Sequence, residues 1–356
     1  MLDELSVPSP ILRSLDVEIP LSDSGKPSTM PENLSKQWST QHFPPILSEN
    51  SMLTELCLRY IPLNPTFMNL SSVTTAILHH SDWSIGHILK FISANQALER
   101  LSVSGRISKP EPLHPTISLP HLKLFVLSNT DPNYLLCHLK VPLGTHLEFN
   151  CCTTFPSSNC SLENLSRLED WCFSHNRIAG VENKILTGIG PSGSVRVKSA
   201  KNPVQWENFY FTRFSFTRVR KLRFYNVVTD HLECEELGRL LGAMNRLETI
   251  IIDGDCNFKL LCHPLTKREP TPLCPSLHTF VCGASWDRYV FFTLESIVKC
   301  RYEAPEIPVL KRLIIATNGD LPEAEELREL RFHVDSLELR MTSQVPETWN
   351  ELSSEW

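Results

Sequence analysis

The chain has 356 residues, of which 41% are apolar and 21% are charged, and this is the composition of a globular protein rather than of a disordered one. Its 34 basic and 40 acidic residues give a net charge of −6, which excludes a polyanion binder that works through overall charge. Leucine is abundant at 50 residues, whereas glycine, at 13, is half as common as proline, at 26. This balance disfavours glycine-lined phosphate loops and favours a scaffold with repeated apolar positions.

The N-terminal residues lack the basic start and apolar core of a secretory signal. No uninterrupted apolar stretch comes near the length of about 18 residues that a membrane-spanning helix needs. We therefore expect an intracellular protein of the cytoplasm or nucleus, without membrane contact and with its 12 cysteines reduced. The closest cysteine clusters lack the Cys-x2–4-Cys spacing of a zinc site, so we predict neither a metal nor a cofactor. These clusters are Cys151-Cys152-Cys160-Cys172 and Cys256-Cys262-His263-Cys274-Cys282.

One apolar spacing recurs from the start of the chain: an apolar residue, two others, an apolar residue, one other, and a third apolar residue. The last two apolar positions alternate with other residues, as in a short strand with one buried face. In the regular stretches the central residues lie 22 to 33 residues apart, within or just above the roughly 20–29-residue period of leucine-rich repeats. The triplets are Leu12-Leu15-Val17, Leu53-Leu56-Leu58, Leu98-Leu101-Val103, Leu122-Phe125-Leu127, the less regular Leu147-Phe149, Val219-Leu222-Phe224, Leu247-Ile250-Ile252, Leu277-Phe280-Cys282, Leu310-Leu313-Ile315 and Val334-Leu337-Leu339.

Stretches with helical periodicity lie between these predicted strands. The first carries apolar residues at 85, 88, 89 and 92, and Ser84 is well placed as its N-cap. A short helix through Leu330 is expected to have Pro322 at its first position. Further helices are predicted at 237–244, at 287–300 and from 161 through 172, the last with Leu168 and Cys172 facing inward.

The clearest repetition joins residues 92–105 to residues 241–254, which match without insertion at an offset of 149. A helix end, a fixed link, a strand and a glycine turn recur in both, ending at Gly105 and Gly254. We predict an α/β fold, namely a leucine-rich-repeat solenoid shaped as a horseshoe, with parallel strands on the concave face and helices and loops on the convex face. The alternative is an ordinary α/β domain.

The predicted organisation is a single irregular array over residues 1–340, least regular at 150–215, where the number of repeats stays open. The tail at 341–356 is acidic and without an apolar period, so we expect it to be frayed, only partly docked or disordered.

Several phrases, among them Leu53-Thr-Glu-Leu-Cys-Leu-Arg-Tyr-Ile-Pro-Leu, Leu119-Pro-His-Leu-Lys-Leu-Phe-Val-Leu and Trp83-Ser-Ile-Gly-His-Ile-Leu, resemble the leucine-rich-repeat half of the large F-box family of mushroom-forming fungi. The resemblance extends from about residue 10 to residue 340. In that family an N-terminal F-box binds the adaptor subunit of a cullin-type ubiquitin ligase, and the repeats present the substrate. The first triplet here begins at Leu12, so the resemblance implies the adaptor as a partner only if a box lies upstream of this chain.

A protein-binding surface is expected where side chains beside the apolar strand positions point away from the core. We centre it on Lys221, Arg223 and Tyr225, because Arg and Tyr are typical interface anchors. Without a recognisable catalytic signature, we predict a non-catalytic recognition scaffold for an unknown protein partner. The resemblance implies that this scaffold is the substrate-binding part of a cullin-type ubiquitin ligase receptor that lacks its F-box. The full predicted set is Glu55, Arg59, Arg100, His146, Glu148, Lys221, Arg223, Tyr225, Thr249, Asp253, Arg312, Glu338 and Arg340.

The segment 196–225 supports an alternative, since it has eight basic residues, one acidic residue and interleaved aromatics. Basic groups beside rings that stack on bases would bind single-stranded nucleic acid. The other interpretations are strand packing, with aromatics inward and arginines outward, and a patch for an acidic protein.

Two further motifs favour structure over chemistry. Gly188-Ile-Gly190-Pro-Ser-Gly193 has the formal dinucleotide pattern G-x-G-x-x-G, but its proline and the alternation that follows predict a turn between extended segments. Asp253-Gly-Asp255-Cys-Asn257 imitates the start of a calcium loop, but the required glycine and glutamate are replaced by Phe258 and Pro264. We expect its two aspartates in a solvated turn.

Overall fold

The computed structural model describes residues 13–18, 52–60, 70–79, 83–105, 107–108, 116–150, 167–178, 181–199, 216–227, 234–254, 256–266, 273–283, 285–304, 307–317 and 322–341. The chain divides into two compact units, Met1–Asn164 with Ser192–Lys198, and Leu165–Pro191 with Ser199–Trp356. A large, mostly parallel sheet accounts for 14 strands, seven in each unit, and a few helices complete the mixed α/β fold. The predicted α/β class is confirmed and is compatible with a solenoid, while the single array over 1–340 stays a prediction.

Among the described residues before 151 there are ten strands. They are β1 Ser14–Glu18, β2 Glu55–Arg59, β3 Thr75–His79, β4 Trp83–Ser84, β5 Arg100–Ser104, β6 Ile107–Ser108, β7 Ile117–Ser118, β8 Leu124–Ser128, β9 Leu139–Lys140 and β10 His146–Asn150. Eight strands follow: β11 Asp170–Ile178, β12 Val181–Gly190, β13 Gly193–Ser199, β14 Lys221–Tyr225, β15 Thr249–Asp253, β16 Thr279–Gly283, β17 Arg312–Thr317 and β18 Ser336–Met341.

From β14 onward, each strand is followed by a helix before the next strand. The helices are α1 Ile85–Ala94, α2 Pro132–Leu136, α3 Cys234–Ala243, α4 Phe258–Cys262, α5 Arg288–Tyr302 and α6 Ala324–Phe332, with 3₁₀ turns at Phe216–Arg218 and His263–Thr266.

The first unit is an all-parallel ladder in the order β1-β2-β3-β5-β8-β10-β13. Its register places the predicted apolar positions side by side: Leu56, Leu101, Phe125 and Leu147 share one row and are at most 1% exposed. Such rows stabilise the unit because each strand buries the apolar face of the strand before it. Two small parallel pairs, β4–β6 and β7–β9, lie outside this ladder.

The second unit has the order β12-β11-β14-β15-β16-β17-β18. All of its strand pairs are parallel except β11 and β12, which form an antiparallel hairpin. One core row joins Trp171, Leu222, Ile250, Phe280 and Leu313, each at most 1% exposed. Each of these residues is the middle member of an apolar triplet, so the triplet rule describes this core as well.

The offset of 149 is confirmed residue by residue. Helices α1 and α3 end at Ala94 and Ala243, and β5 and β15 span 100–104 and 249–253. Both strands lead into a glycine with positive φ, +124° at Gly105 and +73° at Gly254, a conformation that favours glycine. The Ser84 side chain also caps α1, as predicted, by accepting a hydrogen bond from the His87 amide.

Two predicted helices need correction. Residues 170–178 form strand β11 and not the end of a helix from 161, because Leu168, Trp171 and Phe173 repeat the apolar triplet and β11 pairs with β14. Helix α6 begins at Ala324 after the N-cap Glu323, so Pro322 precedes the cap instead of opening the helix. Residues 161–166 lie outside the described residues, as do Leu12, Asp255 and 342–356.

Candidate functional site

The side chains between the core positions lie on the other face of the ladder, and in the second unit the register arranges them in three rows. We call this surface, on β11 and β14–β18, the second-unit face. Its first row is Asp170, Lys221, Thr249, Thr279, Arg312 and Ser336. The middle row is Cys172, Arg223, Ile251, Val281, Ile314 and Glu338, and the last is Ser174, Tyr225, Asp253, Gly283, Ala316 and Arg340.

The ladder brings together eight of the thirteen predicted site residues on the second-unit face. They are Lys221, Arg223, Tyr225, Thr249, Asp253, Arg312, Glu338 and Arg340. The other five occupy equivalent positions on β2, β5 and β10 of the first unit, and we call the corresponding surface, on β1–β3, β5, β8, β10 and β13, the first-unit face. They are Glu55, Arg59, Arg100, His146 and Glu148.

Arg223 lies in the middle row of the second-unit face, on β14, and is buried, with 9% of its surface exposed. Its Nη2 donates to Asp253 Oδ2 at 2.5 Å across the β14–β15 pair, and its guanidinium carbon lies 5.4 Å from the centre of the Tyr225 ring. Asp253 therefore holds an arginine in a partly buried ion pair, which corrects the expectation that it lies in a solvated turn. We assign Arg223 to positioning Tyr225 and Asp253, which are the more exposed of the three.

An apolar stripe crosses the middle row next to Arg223. It consists of Ile251, Val281 and Ile314, contributed by β15, β16 and β17. The first two are half-buried and Ile314 is buried. This stripe was not predicted, although the sequence contains a signal for it: in these three strands the residue between the two core positions is itself apolar. The stripe could contact apolar side chains of a partner.

The edge of the second-unit face at β18 has a cluster of three charges. Glu338 accepts from Arg312 Nη2 at 2.9 Å and from Arg340 Nη2 at 2.8 Å, so two guanidinium groups share one carboxylate. Hydrogen bonds from Arg312 and Arg340 lower the pKa of Glu338 to about 2. The cluster retains one positive charge in excess, which would attract a carboxylate of a partner.

The Glu338 cluster predicts a pH dependence of stability. Because the pKa of Glu338 is lowered from 4.5 to about 2 in the folded chain, its stabilising contribution is fully present above pH 4.5 and is lost as the pH falls toward 2. Glu338→Gln is therefore expected to lower the melting temperature at neutral pH and to have a smaller effect near pH 2. Differential scanning calorimetry of both proteins from pH 2 to pH 7 measures this difference. A gap in melting temperature that stays constant across the range would contradict the assignment.

Two basic residues of the first-unit face are paired with carboxylates. Arg59 lies 3.5 Å from Asp16 and 3.0 Å from Glu18, and Lys198 donates to Glu148 at 2.7 Å. These carboxylates offset the positive charges of Arg59 and Lys198.

The residues along the first row of the first-unit face differ in exposure. His146 is only 4% exposed and its Nδ1 lies 2.5 Å from Ser194 Oγ, and burial lowers its pKa. Glu55 and Arg100 are exposed. We therefore assign His146 to positioning the ladder, while Glu55 and Arg100 are available for contact.

Three of the six described basic residues of segment 196–225 lie in ion pairs with acidic residues. Lys198 binds Glu148, Arg223 binds Asp253, and Arg220 lies 3.7 Å from Glu169. Phe216 and Phe224 are buried, as the strand-packing interpretation expects of them. Residues 200–215, with two of the basic residues and most of the aromatics, lie outside the described residues, so nucleic-acid binding stays a prediction without a described contact that favours it.

The formal dinucleotide motif is a turn, as predicted. Strand β12 ends at Gly190 and β13 begins at Gly193, which has a φ of +119°. A Cβ atom at Gly190 would lie 2.4 Å from the Arg167 carbonyl oxygen, so this glycine is required for the close approach of two backbone segments. Its role is structural.

The eight described cysteines are free thiols, and four of them are buried. Burial raises the pKa of Cys172 to about 11 and that of Cys274 to about 12, and raises the pKa of Cys262 as well. Cys282 lies in the core as expected, whereas Cys57 is on the first-unit face and only half-buried. Among the residues that the structure describes, no group of three or more potential ligands is placed to hold a metal ion.

Neither family models nor curated proteins show a relative of this chain. No protein-family model matches the chain, and a search of curated proteins finds no similar sequence. Within the described ranges, no helix has the length and apolar character needed to cross a membrane. The geometry of the two faces is therefore the basis for a functional proposal.

Proposed function

We propose that the protein is a non-catalytic recognition scaffold that binds another protein through the second-unit face. One observation carries this proposal: the strand register assembles an apolar stripe between charged and aromatic side chains on a single surface. Ile251 and Val281 supply apolar contact area, Tyr225 is a partly exposed aromatic anchor, and Lys221 and Arg312 flank the stripe. A central apolar patch with a polar rim is the usual composition of a protein interface.

The partner that fits this face is a protein segment with apolar side chains beside acidic ones. Its apolar side chains would cover Ile251 and Val281, and its carboxylates would approach the excess positive charge at Arg312 and Arg340. Arg223 and Asp253 neutralise each other's charge in a partly buried ion pair, so they offer no free charge to a partner. Arg223 instead packs against the Tyr225 ring and holds it in place.

The finer proposal is a leucine-rich-repeat horseshoe that acts as the substrate-binding part of a cullin-type ubiquitin ligase receptor. It rests on the sequence resemblance, together with the regular parallel ladders and the exact recurrence at an offset of 149. Co-expression of this chain with the ligase adaptor tests it, with a longer gene product that includes any upstream helical box as the comparison. If the adaptor bound neither protein, the ligase proposal would be contradicted, whereas the proposal of a recognition scaffold would not be affected.

Substitutions on the second-unit face test the scaffold proposal directly. Val281→Arg places a charge in the stripe and Lys221→Glu reverses its flank, and each is expected to lower partner recovery at least about tenfold, as a loss of about 1.4 kcal/mol would. The measurement is affinity capture with quantitative mass spectrometry, with equal melting temperatures required of all variants.

Lys259→Glu is the matched control, because Lys259 is exposed on α4, away from the second-unit face. It should leave the same partner bound. If the two face variants and the control all retained the wild-type partners, the second-unit face would not be the recognition surface.

A further inference from the structure

Each unit has one edge strand with a single neighbour in the sheet. Among the described strands, β1 pairs only with β2, and β18 pairs only with β17. Core residues of both edge strands are partly exposed, since Leu339 is 41% exposed and Val17 is half-buried. Their partners on the inner side, Ile315 and Leu58, have no exposed surface. Both edges therefore lack the neighbouring strand that buries an inner strand.

The two edge strands have the same residue pattern. Strand β1 reads Ser-Leu-Asp-Val-Glu, and the first five residues of β18 read Ser-Leu-Glu-Leu-Arg. The neighbouring parallel strands of each unit align their core residues without a shift in register. In the same register, Leu337 of one copy of the chain would lie beside Leu15 of a second copy, and Leu339 would lie beside Val17. Both core rows would then continue from one molecule into the next.

The charges on the strands of the two edges have opposite signs. Three acidic residues and one basic residue give β1 and β2 a net charge of −2, whereas two basic residues and one acidic residue give β17 and β18 a net charge of +1. The flanking residues Arg13, Lys311 and Asp335 change these sums to −1 and +1, so the signs stay opposite. Helix α6 has three glutamates and two arginines, but it is attached to the core through the buried Leu330, so its charge is not part of the face on which these strand residues lie.

The last row of the two edges would contain an ion pair between molecules. In the unshifted register Arg340 of one copy lies beside Glu18 of the next, and both side chains are at least partly exposed. In the middle row Glu338 would lie beside Asp16. Each of these two carboxylates already lies beside an arginine of its own edge, at 2.9 Å and at 3.5 Å, which offsets their repulsion.

We propose that copies of this chain associate head to tail, with β18 of one copy adding in parallel to β1 of the next. The partner is thus a second copy of the chain, and the contact continues both core rows across the boundary between the molecules. Association through like edges is disfavoured, because β1 against β1 would bring two acidic edges together and β18 against β18 two basic ones. The contact is heterologous, so each added copy leaves one edge of each kind open to another copy.

Sedimentation velocity of the full chain over the micromolar concentration range tests the association. We expect the wild type to form species larger than a monomer in amounts that rise with concentration and fall at high salt. Val17→Arg and Leu339→Arg each place a charge in the core row of one edge, so each variant alone should associate at least about tenfold more weakly. Lys90→Glu, exposed on α1 between inner strands, is the matched control and should associate like the wild type.

A mixture of the two edge variants distinguishes this contact from other modes of association. The Leu339→Arg protein keeps an intact β1 edge, and the Val17→Arg protein keeps an intact β18 edge. The mixture should therefore form a complex of one copy of each variant and nothing larger. A wild type that stays monomeric would overturn the proposal, as would a mixture that stays monomeric while both variants have wild-type melting temperatures.

Exchange of the edge charges provides a second test that leaves every core residue in place. Glu18→Arg and Arg340→Glu each put like charges across the contact, so each variant alone should associate at least about tenfold more weakly. Their mixture restores opposite charges at both kinds of contact and is expected to associate like the wild type. Association that is unchanged in the single variants, or that the mixture does not recover, would overturn the head-to-tail pairing.

Discussion

Replacement of Arg301 by alanine is expected to lower the free energy of unfolding of the second unit by roughly 3–5 kcal/mol, since each buried acceptor left unpaired costs about 1–3 kcal/mol. Arg301 is in the last turn of α5 and is 2% exposed. Its guanidinium donates to three backbone carbonyl oxygens, those of Leu273 at 3.3 Å, Cys274 at 3.2 Å and Leu277 at 2.9 Å. These carbonyls belong to the segment that leads into β16. Loss of the hydrogen bonds from Arg301 would therefore destabilise this segment and the start of β16. Urea denaturation followed by circular dichroism measures the change.

Two comparisons identify the carbonyl contacts as the cause. Arg301→Lys keeps the charge but not the planar fork that reaches three acceptors, so we expect an intermediate loss of stability. Arg288→Ala removes an exposed arginine from the first turn of the same helix and should change stability by less than about 0.5 kcal/mol. An Arg301→Ala protein as stable as Arg288→Ala would contradict this role for the buried arginine.

Gly190→Ala is expected to destabilise the second unit by about 3 kcal/mol, at the upper end of the cost of overpacking. The added Cβ would lie 2.4 Å from the Arg167 carbonyl oxygen and 2.9 Å from the Leu168 Cα, and backbone atoms cannot rotate away as a side chain does. The strain would separate β12 from the chain that enters β11. Thermal denaturation of the variant measures the loss.

Gly238→Ala is the matched glycine control and is expected to have the opposite sign. Gly238 lies inside helix α3, and its added Cβ would meet only the Pro264 Cβ at 3.9 Å. Alanine favours the helix by about 0.8–1.0 kcal/mol over glycine, so this variant should be more stable than the wild type. Equal effects of the two substitutions would mean that the Gly190 contact is not a constraint.

The strands could be predicted from the sequence where the apolar triplet is complete and made of large residues. Leu101 and Ile250 are in strands at the predicted places, because burial of two alternating apolar side chains fixes both the strand and its register. Strand β3 is not predicted by the pattern of large apolar residues because its central core residue is the small Ala76. The spacing of Leu168 and Cys172 predicts a helix where the structure has β11, because both residues also satisfy a helical period, and only the pairing of β11 with β14 decides between the two.

The candidate site was predictable in outline and not in its electrostatics. Alternation along each strand placed Lys221 and Tyr225 on the correct side of the sheet. The sequence does not reveal that Arg223 pairs with Asp253, 30 residues away, because this contact depends on the register of two neighbouring strands. Val281 was not among the predicted site residues, which are mostly charged, although an apolar residue on a non-core face is the less expected observation.

Site-specific photo-crosslinking from Val281 tests the central claim most directly. A benzophenone side chain at Val281 on the second-unit face is expected to crosslink the same protein that the wild type captures and that the Val281→Arg variant fails to capture. The same probe at Glu325, exposed on α6, should yield no crosslink to that protein. Crosslinks to the partner from Glu325 and none from Val281 would contradict recognition through the second-unit face.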